Sequence, residues 1–401
     1  MRVLIINELY KSGGAEMQTM RERSLLKQFG NEAMVITLDP NFDNGWLDDC
    51  HYNISKRVNP IKKQLGMVFS DNDIVSKMKA VIKRFKPDYI HINNAKEHAI
   101  SVFKAVDGYK CLRTIRDYGA VCPNSQSICS DLSLCKAYQN GLKCCAKCLK
   151  GKSGKLKRIW KWICFKRRNA VQKKVIKQFA CPSQMLTDYC NRFGLKTTCI
   201  NNPFDFSMLA DSGLKKPDSY DKKIYLFYGQ VIDFKGIEQL MEAFCDFAKN
   251  KNDVELHVAG MLPDIYKDTF DELLKKYGNG KISYLGNLSY DKIIAELFSV
   301  HTVVIPSLWI ENYPNTALEA TAVGCLVLGS ERGGMREIIG TDRFIFSVLD
   351  KDSIIDKLEL AYSISDEEYR KITKENKDRV KENNSFATYY NRLLDCLKSI
   401  A

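Results

Sequence analysis

The chain has 401 residues and a formal net charge of +13, from 61 Lys and Arg against 48 Asp and Glu, with 45% hydrophobic and 27% charged residues. These values exclude an intrinsically disordered chain, and the length fits two domains better than one core. No apolar run reaches the ~18 residues of a membrane-spanning helix, and residues 1–6 read as a core strand, so we expect a cytoplasmic protein without a signal peptide.

Short apolar strands alternate with helical stretches, which predicts an α/β protein built on parallel sheets. In the first half the predicted strands are residues 3–6, 33–38, 89–92, 111–115, 178–181 and 198–201. In the second half they are residues 224–228, 254–259, 281–285, 302–305, 326–329 and 344–347. A polar segment between the halves predicts a boundary near residues 203–222 and two Rossmann-like domains, 1–205 and 206–385, followed by a C-terminal helix, 386–401.

Two carboxylates stand eight positions apart across a predicted helix start. Glu311 follows a predicted strand, Pro314 suits the first turn of a helix, and Glu319 lies more than a turn inside it. Free N–H groups at that helix start favour an anion, and carboxylates accept hydrogen bonds from sugar hydroxyls. The spacing therefore suits a sugar nucleotide, although two surface glutamates on a solvated helix would give the same pattern.

The segment resembles the Glu-x7-Glu motif of retaining glycosyltransferases of family 4, which have the GT-B fold. This resemblance implies two Rossmann-like domains facing across a cleft, with residues 386–401 crossing back to the first domain. It also implies that Glu311 acts near the reacting carbon of the donor sugar. Glu319 would hold the nucleotide ribose, with Asn315 beside it at the start of the helix.

Three glycine-containing loops follow predicted strands, as in this family. Gly13 and Gly14 open the first helix, where paired glycines let a ligand approach the backbone, although an ordinary tight turn explains them equally well. Gly333 and Gly334 resemble the pair whose N–H groups reach donor oxygens. Lys235 matches the lysine that neutralises the departing diphosphate, whereas a solvated surface lysine is the alternative.

Two positions depart from the family pattern. Gln230 stands where an arginine is usual, which weakens the diphosphate clamp because an amide carries no charge. Arg116 stands where a histidine is usual; it can bind phosphate but cannot act as a general base near neutral pH. We expect Arg116 to belong to the active site as a binding group, and donors that lack the sugar hydroxymethyl oxygen become plausible.

Cysteines are crowded into the insert 122–148. Cys145 and Cys148 have zinc-ligand spacing, and Cys129 and Cys135 complete a candidate four-sulfur structural site. Reduced thiols or a disulfide formed under stress are the alternatives that the spacing leaves open. A nucleic-acid zinc finger is not expected, because no histidine completes the pattern.

Residues 150–177 contain many Lys and Arg, several aromatic residues and no Asp or Glu. A basic helix of this kind can lie on an anionic bilayer, which predicts peripheral binding to the inner membrane face; a solvated basic helix is the alternative. No other feature indicates nucleic-acid binding.

Together these features predict a retaining glycosyltransferase that moves a sugar from a nucleotide-sugar donor, UDP-linked by family frequency, to a growing lipid-linked polysaccharide. No Asp-x-Asp motif lies near the donor positions, so we expect no catalytic divalent ion or other catalytic cofactor. A GT-B sugar-nucleotide epimerase and a non-catalytic sugar-nucleotide-binding protein remain the alternatives.

Overall fold

The computed structural model describes residues 1–10, 14–55, 65–129, 133–136 and 155–400. The chain divides into two compact units. The first unit consists of Met1–Pro203 together with Phe386–Ala401, and the second of Phe204–Ser385.

The first unit is built on an eight-stranded sheet with the order β3-β4-β2-β1-β5-β6-β7-β8. Its strands are β1 (Arg2–Asn7), β2 (Glu32–Thr37), β3 (Gly45–Asp48), β4 (His51–Asn53), β5 (Tyr89–Ile92), β6 (Cys111–Thr114), β7 (Gln178–Cys181) and β8 (Thr197–Cys199). Neighbouring strands are parallel except β3 and β4, which pair antiparallel at the edge. β1 lies inside the sheet and is buried from Val3 onward, as its continuous apolar run requires.

Five helices of the first unit lie between or beside these strands. They are α1 (Gly14–Gln28), α2 (Asn72–Phe85), α3 (Ala99–Ala105), α4 (Lys155–Val175) and α5 (Gln184–Arg192). Asp71 caps the start of α2, and its side chain accepts hydrogen bonds from the N–H groups of Asp73 and Ile74. Ser183 caps the start of α5 by accepting from the N–H of Leu186. These caps satisfy backbone donors that a helix start leaves free.

The second unit is built on a six-stranded sheet with the order β11-β10-β9-β12-β13-β14. Its strands are β9 (Lys223–Tyr228), β10 (Val254–Ala259), β11 (Ile282–Gly286), β12 (Thr302–Ile305), β13 (Leu326–Ser330) and β14 (Ile345–Phe346), and each neighbouring pair is parallel. Its helices are α6 (Ser207–Asp211), α7 (Ile237–Phe247), α8 (Lys267–Tyr277), α9 (Tyr290–Ser299), α10 (Asn315–Val323), α11 (Met335–Ile339), α12 (Lys351–Ser363) and α13 (Asp366–Asn384). The predicted α/β class with parallel sheets is confirmed.

The last helix, α14 (Phe386–Lys398), belongs to the first unit. Its buried face includes Leu393 and Leu397, which lie in one core cluster with Val3 and Ile5 of β1 and with Leu112 of β6. Tyr389 on the same helix is also buried in this cluster. The carboxyl end of the chain is therefore part of the first unit's hydrophobic core.

A histidine is buried in the core of the second unit. The ring of His301 stacks on Tyr369 at a centroid distance of 4.4 Å, and its Nδ1 lies 2.7 Å from Thr302 Oγ1. Burial, with Lys223 and Lys216 adding repulsion, lowers the pKa of His301 from 6.5 to about 3. The ring is therefore neutral in the folded protein at pH values where the unfolded chain already binds a proton.

Acidification should destabilise the second unit through His301. Because the folded-state pKa is below the unfolded value of 6.5, this contribution to stability is complete above pH 6.5 and is lost as the pH falls toward 3. Between pH 7 and pH 5 we expect a loss on the order of 2 kcal/mol in the free energy of unfolding. Urea unfolding at both pH values measures it, and His301→Phe should reduce the difference; an unchanged difference would refute the assignment.

Candidate functional site

The loops after β9 and β12 bring a lysine and a glutamate into contact. β9 and β12 are parallel neighbours, so the loops that follow them leave from the same edge of the sheet. Lys235 lies at the end of a 3-10 turn between β9 and α7, and Glu311 lies between β12 and α10. Their side chains form an ion pair with Lys235 Nζ 2.6 Å from Glu311 Oε1.

The surroundings of this ion pair fix its geometry. Ser307 Oγ also donates to Glu311 Oε1, at 2.8 Å, and the carbonyl of Phe234 accepts the N–H groups of Leu308 and Trp309 at 3.0 and 3.1 Å. The Glu311 side chain is 13% exposed and that of Lys235 is 32% exposed. The pair is thus sheltered but reachable, and both described contacts of the carboxylate use Oε1, which leaves Oε2 for a ligand hydroxyl.

A third loop packs against the backbone of Glu311. Gly333 forms a parallel bridge with Glu311, and the N–H of Gly334 donates to the Glu311 carbonyl at 2.7 Å. Gly333 has φ +83°, and a Cβ there would lie 1.9 Å from the Glu311 carbonyl oxygen, so only glycine allows this approach. The N–H of Gly334 therefore positions Glu311, and the contact of Gly333 and Gly334 with donor oxygens stays a prediction.

The same kind of approach joins the other two loops. Gly236, directly after Lys235, has φ +72°, and a Cβ at this position would lie 1.8 Å from the Pro306 carbonyl oxygen. Any side chain here would push the loop that carries Lys235 away from the loop that carries Glu311.

Glu319 is buried in α10 and is held by two tyrosines. The hydroxyl of Tyr228 donates to the Thr316 carbonyl at 2.7 Å and lies 3.4 Å from Glu319 Oε2, while the hydroxyl of Tyr290 lies 3.4 Å from Glu319 Oε1. Burial raises the pKa of Tyr228 well above its usual value, so its hydroxyl stays protonated and able to donate. Tyrosine hydroxyls therefore lie beside this carboxylate, in contrast to the lysine that faces Glu311.

The two remaining predicted site residues of the second unit, Asn315 and Gln230, lie close in sequence to Glu311 and Lys235. Asn315 is the first residue of α10, and the residue before it, Pro314, has no side-chain group to cap the helix. Gln230 is exposed two residues after β9. The structure therefore brings Lys235, Glu311, Gly333 and Gly334 into one contact set and places Glu319 eight residues further along the same loop and helix.

In the first unit Arg116 is held by two amide side chains. Its Nε and Nη2 donate to Asn93 Oδ1 at 3.2 and 2.8 Å, and its Nη1 donates to Asn202 Oδ1 at 2.7 Å. α1 begins at Gly14, as the glycine-loop prediction requires, and Gly13 lies outside the described residues.

The cysteine cluster is described only in part. Cys129 and Cys135 directly follow the two residues of an isolated antiparallel bridge, Ile128 and Leu134, and the Cys135 N–H donates to the Ser127 carbonyl at 2.7 Å. Cys145 and Cys148 lie outside the described residues. Within the described ranges no group of three His, Cys, Asp or Glu residues could hold a metal ion, and the four-sulfur zinc site stays a prediction.

Residues 214–379 match the family model described as Glycosyl transferases group 1. The chain carries a group 1 glycosyltransferase domain. This glycosyltransferase domain contains Lys235, Glu311, Glu319, Gly333 and Gly334. Membership of family 4 in particular stays a prediction.

Similar proteins match nearly the whole chain. A Klebsiella pneumoniae protein described as an uncharacterized 42.6 kDa protein in the cps region is 24% identical over 88% of this chain and 92% of its own length. Sucrose-phosphate synthase from Thermosynechococcus elongatus superposes with a TM-score of 0.71 at 16% identity, covering 99% of this chain and 98% of its own. The Anabaena protein HepE, solved in complex with UDP and glucose, superposes with a TM-score of 0.68 at 15% identity over the full length of both chains. These likenesses confirm the predicted GT-B fold class.

Three site residues carried no assignment from the sequence. Ser307 lies in the loop before Glu311, and its hydroxyl helps to hold that carboxylate. Tyr228 and Tyr290 come from β9 and α9, and their contact with Glu319 depends on how those elements pack beside α10. The position of Tyr228 at the end of a core strand is visible in the sequence, but it does not predict which residue its hydroxyl contacts.

Replacing Gly333 by alanine should damage both stability and activity of the glycosyltransferase domain. The substitution adds left-handed strain of roughly 1–2 kcal/mol and an overlap with the Glu311 carbonyl that displaces this residue. Gly280→Ala is the matched control, because Gly280 has φ +72° but no atom within 4 Å of its would-be Cβ. Chemical unfolding and turnover should show a larger loss for Gly333→Ala; equal losses would contradict the proposed role of the close approach.

Proposed function

We propose that the protein is a retaining glycosyltransferase that moves a sugar from a UDP-linked donor to a growing lipid-linked glycan. The observation that carries this proposal is the ion pair of Lys235 and Glu311 at the loop that leads into α10, with Glu319 buried in the same helix. The likeness to HepE, which was solved with UDP and glucose, supports the choice of nucleotide. The Klebsiella pneumoniae relative in a cps region supports a role in polysaccharide synthesis.

In the proposed donor complex the two carboxylates have different tasks. Glu319, held by neutral tyrosine hydroxyls, accepts hydrogen bonds from ribose hydroxyls. Lys235 turns toward the diphosphate, because an ammonium group 2.6 Å from one carboxylate can be shared with a second anion. The start of α10, where Pro314 supplies no side-chain cap, adds favourable charge for the same anion.

The reaction breaks the bond between the anomeric carbon and the diphosphate oxygen and forms a bond from an acceptor hydroxyl to the same face of that carbon. The departing phosphate oxygen takes the acceptor's proton, so the anomeric configuration is kept. Lys235 stabilises the negative charge of the leaving group, and Glu311 stabilises the positive charge of the sugar. Because Lys235 and the helix start carry the diphosphate, we propose that a divalent ion is not required.

Because Gln230 carries no charge, the proposed binding of the diphosphate depends more on Lys235. An amide in place of the usual arginine can donate hydrogen bonds but adds no charge to the diphosphate clamp. Arg116 in the first unit supplies a permanent charge where the family has histidine, and we assign it to donor binding rather than to proton transfer.

Replacing Glu311 by glutamine or alanine, or Lys235 by methionine, should lower kcat by roughly 10²–10³-fold while UDP binding is partly kept. The reason is that each variant removes charge that is needed mainly in the transition state. Transfer assays with a panel of UDP-sugars, together with thermal shift against UDP, measure both effects. Asp246→Asn is the control, because it breaks a surface ion pair with Lys351 at 2.8 Å outside the site.

The outcomes separate the three hypotheses. Full turnover by Glu311→Gln would refute the catalytic assignment of Glu311. Conversion of the donor sugar to its epimer without any acceptor would favour the epimerase. Tight UDP binding by the wild-type protein, with neither transfer nor epimerisation, would favour the binding protein.

An exposed surface of apolar and basic residues on α4 supports the proposal of a lipid-linked acceptor. Leu156, Ile159 and Ile163 share one face of this helix and are exposed, Leu156 to 84%. Further along the helix, Arg167 and Lys174 line a cavity of about 570 Å³. Apolar side chains beside cations suit the boundary between acyl chains and anionic headgroups. No helix among the described residues is long and apolar enough to span a membrane.

The α4 surface should bind vesicles that contain phosphatidylglycerol and not vesicles of phosphatidylcholine alone. Co-sedimentation at low and high salt measures this binding, which should weaken as salt screens the charges. Arg167→Glu with Lys174→Glu should abolish it, and Leu156→Ser with Ile159→Ser should weaken it. Lys275→Glu with Lys276→Glu on α8 makes the same change in net charge at another exposed site and should bind normally; equal loss would refute the assignment to α4.

A further inference from the structure

A fully buried carboxylate lies in the first unit, outside the residues assigned so far. Glu22 on α1 is 0% exposed. His91 Nδ1 lies 2.5 Å from its Oε1, while Asn93 Nδ2 and the Tyr389 hydroxyl donate to its Oε2 at 3.2 and 3.0 Å. The carboxylate thus has three described partners, from β5, from the residue after β5, and from α14.

Glu22 is ionised in the folded protein. Burial by itself raises the pKa of this carboxyl, but the charges of His91 and Arg116 and the hydrogen bonds of His91 and Asn93 together hold its pKa below the usual value. His91 is fixed on its other side as well, because its Nε2 lies 2.7 Å from Thr114 Oγ1. A buried charge with this many partners is costly to leave half-satisfied, so the partners are held in one arrangement.

Asn93 connects the buried carboxylate to Arg116. A carboxylate can only accept hydrogen bonds, so the NH₂ end of the Asn93 amide must face Glu22. The oxygen end then faces Arg116, whose Nε and Nη2 donate to it at 3.2 and 2.8 Å. Glu22 and Arg116 therefore require the same orientation of the Asn93 amide, Glu22 as an acceptor for its NH₂ group and Arg116 as a donor to its oxygen.

We propose that Glu22 is a positioning residue that fixes Arg116 through the orientation of the Asn93 amide. This inference rests on the proposed function, in which Arg116 binds the nucleotide-sugar donor. Tyr389 extends the same arrangement to the last helix, so α14 takes part in holding the donor-binding arginine as well as in filling the core.

A double-mutant cycle tests the connection. Glu22→Gln keeps the shape of the side chain; with its oxygen facing the N–H of His91, its NH₂ group faces Asn93, so the Asn93 amide can no longer donate to residue 22 and accept from Arg116 at the same time. We expect about a tenfold loss in kcat/KM for the donor and a parallel loss in UDP affinity measured by calorimetry. Arg116→Ala should lose at least as much, and the double variant should be no worse than Arg116→Ala alone. Additive losses would overturn the proposal.

A swap of the two groups separates positioning from stability. In Glu22→Gln with Asn93→Asp, the amide at position 22 donates to a carboxylate at position 93, and this carboxylate accepts from Arg116, so the chain of hydrogen bonds is rebuilt. We expect kcat/KM and UDP affinity within about threefold of wild type. A folded swap variant with kcat/KM and UDP affinity as low as those of Glu22→Gln would overturn the inference. If Glu22→Gln alone does not fold, the swap variant is compared directly with the wild type.

The failure of this inference can be told from the failure of the proposed function. If Glu311→Gln is inactive while Arg116→Ala keeps full kcat/KM and UDP affinity, the proposed function stands and the role of Glu22 is refuted. If Glu311→Gln is fully active, the proposed function fails, and the UDP affinities of the Glu22 and Arg116 variants still decide whether the two residues act together.

Discussion

The contact between Lys235 and Glu311 depends on three loops whose backbones approach more closely than any side chain would allow. Gly236 meets the Pro306 carbonyl, and Gly333 meets the Glu311 carbonyl, each where a Cβ would overlap an oxygen. Parallel strands deliver all three loops to one edge of the sheet, but the absence of two side chains lets them touch. The ion pair is a result of backbone packing as much as of charge.

The two glutamates of the motif are kept in different electrostatic surroundings. Glu311 faces a lysine and a serine hydroxyl, which both donate to the same carboxylate oxygen. Glu319 is buried and faces tyrosine hydroxyls, which donate hydrogen bonds without adding charge. One carboxylate is thereby suited to stabilising developing positive charge, and the other to holding neutral hydroxyls.

In the first unit a buried carboxylate, Glu22, holds side chains from several elements in one arrangement. Glu22 is surrounded by donors from elements that are far apart in sequence, including Tyr389 on α14. Such a group gives little net stability once the cost of burying it is counted, but it permits only one arrangement of its neighbours. Arg116 belongs to that arrangement through Asn93, which gives a physical reason for its fixed guanidinium in place of the histidine of the family pattern.

The sequence by itself determined the class of fold and indicated a glycosyltransferase. Continuous apolar runs such as residues 224–228 and 302–305 predicted core strands, and the structure has β9 and β12 there, because strands buried on both faces need such runs. The edge strand β3 and its neighbour β4 were missed, since both strands are short and mixed in polarity. The spacing of Glu311 and Glu319, with the glycine loops, indicated a nucleotide-sugar site, and the matched family agrees that the domain is a glycosyltransferase.

Only the tertiary structure decided which side chains meet. Lys235 and Glu311 are 76 residues apart, and Glu22 and Tyr389 are 367 apart, so no local pattern links either pair. Helical and strand periodicity indicates which face of an element is buried, because apolar side chains recur on that face. The partners of a polar side chain depend instead on the register and packing of several elements at once, which appear only when the sheets are assembled.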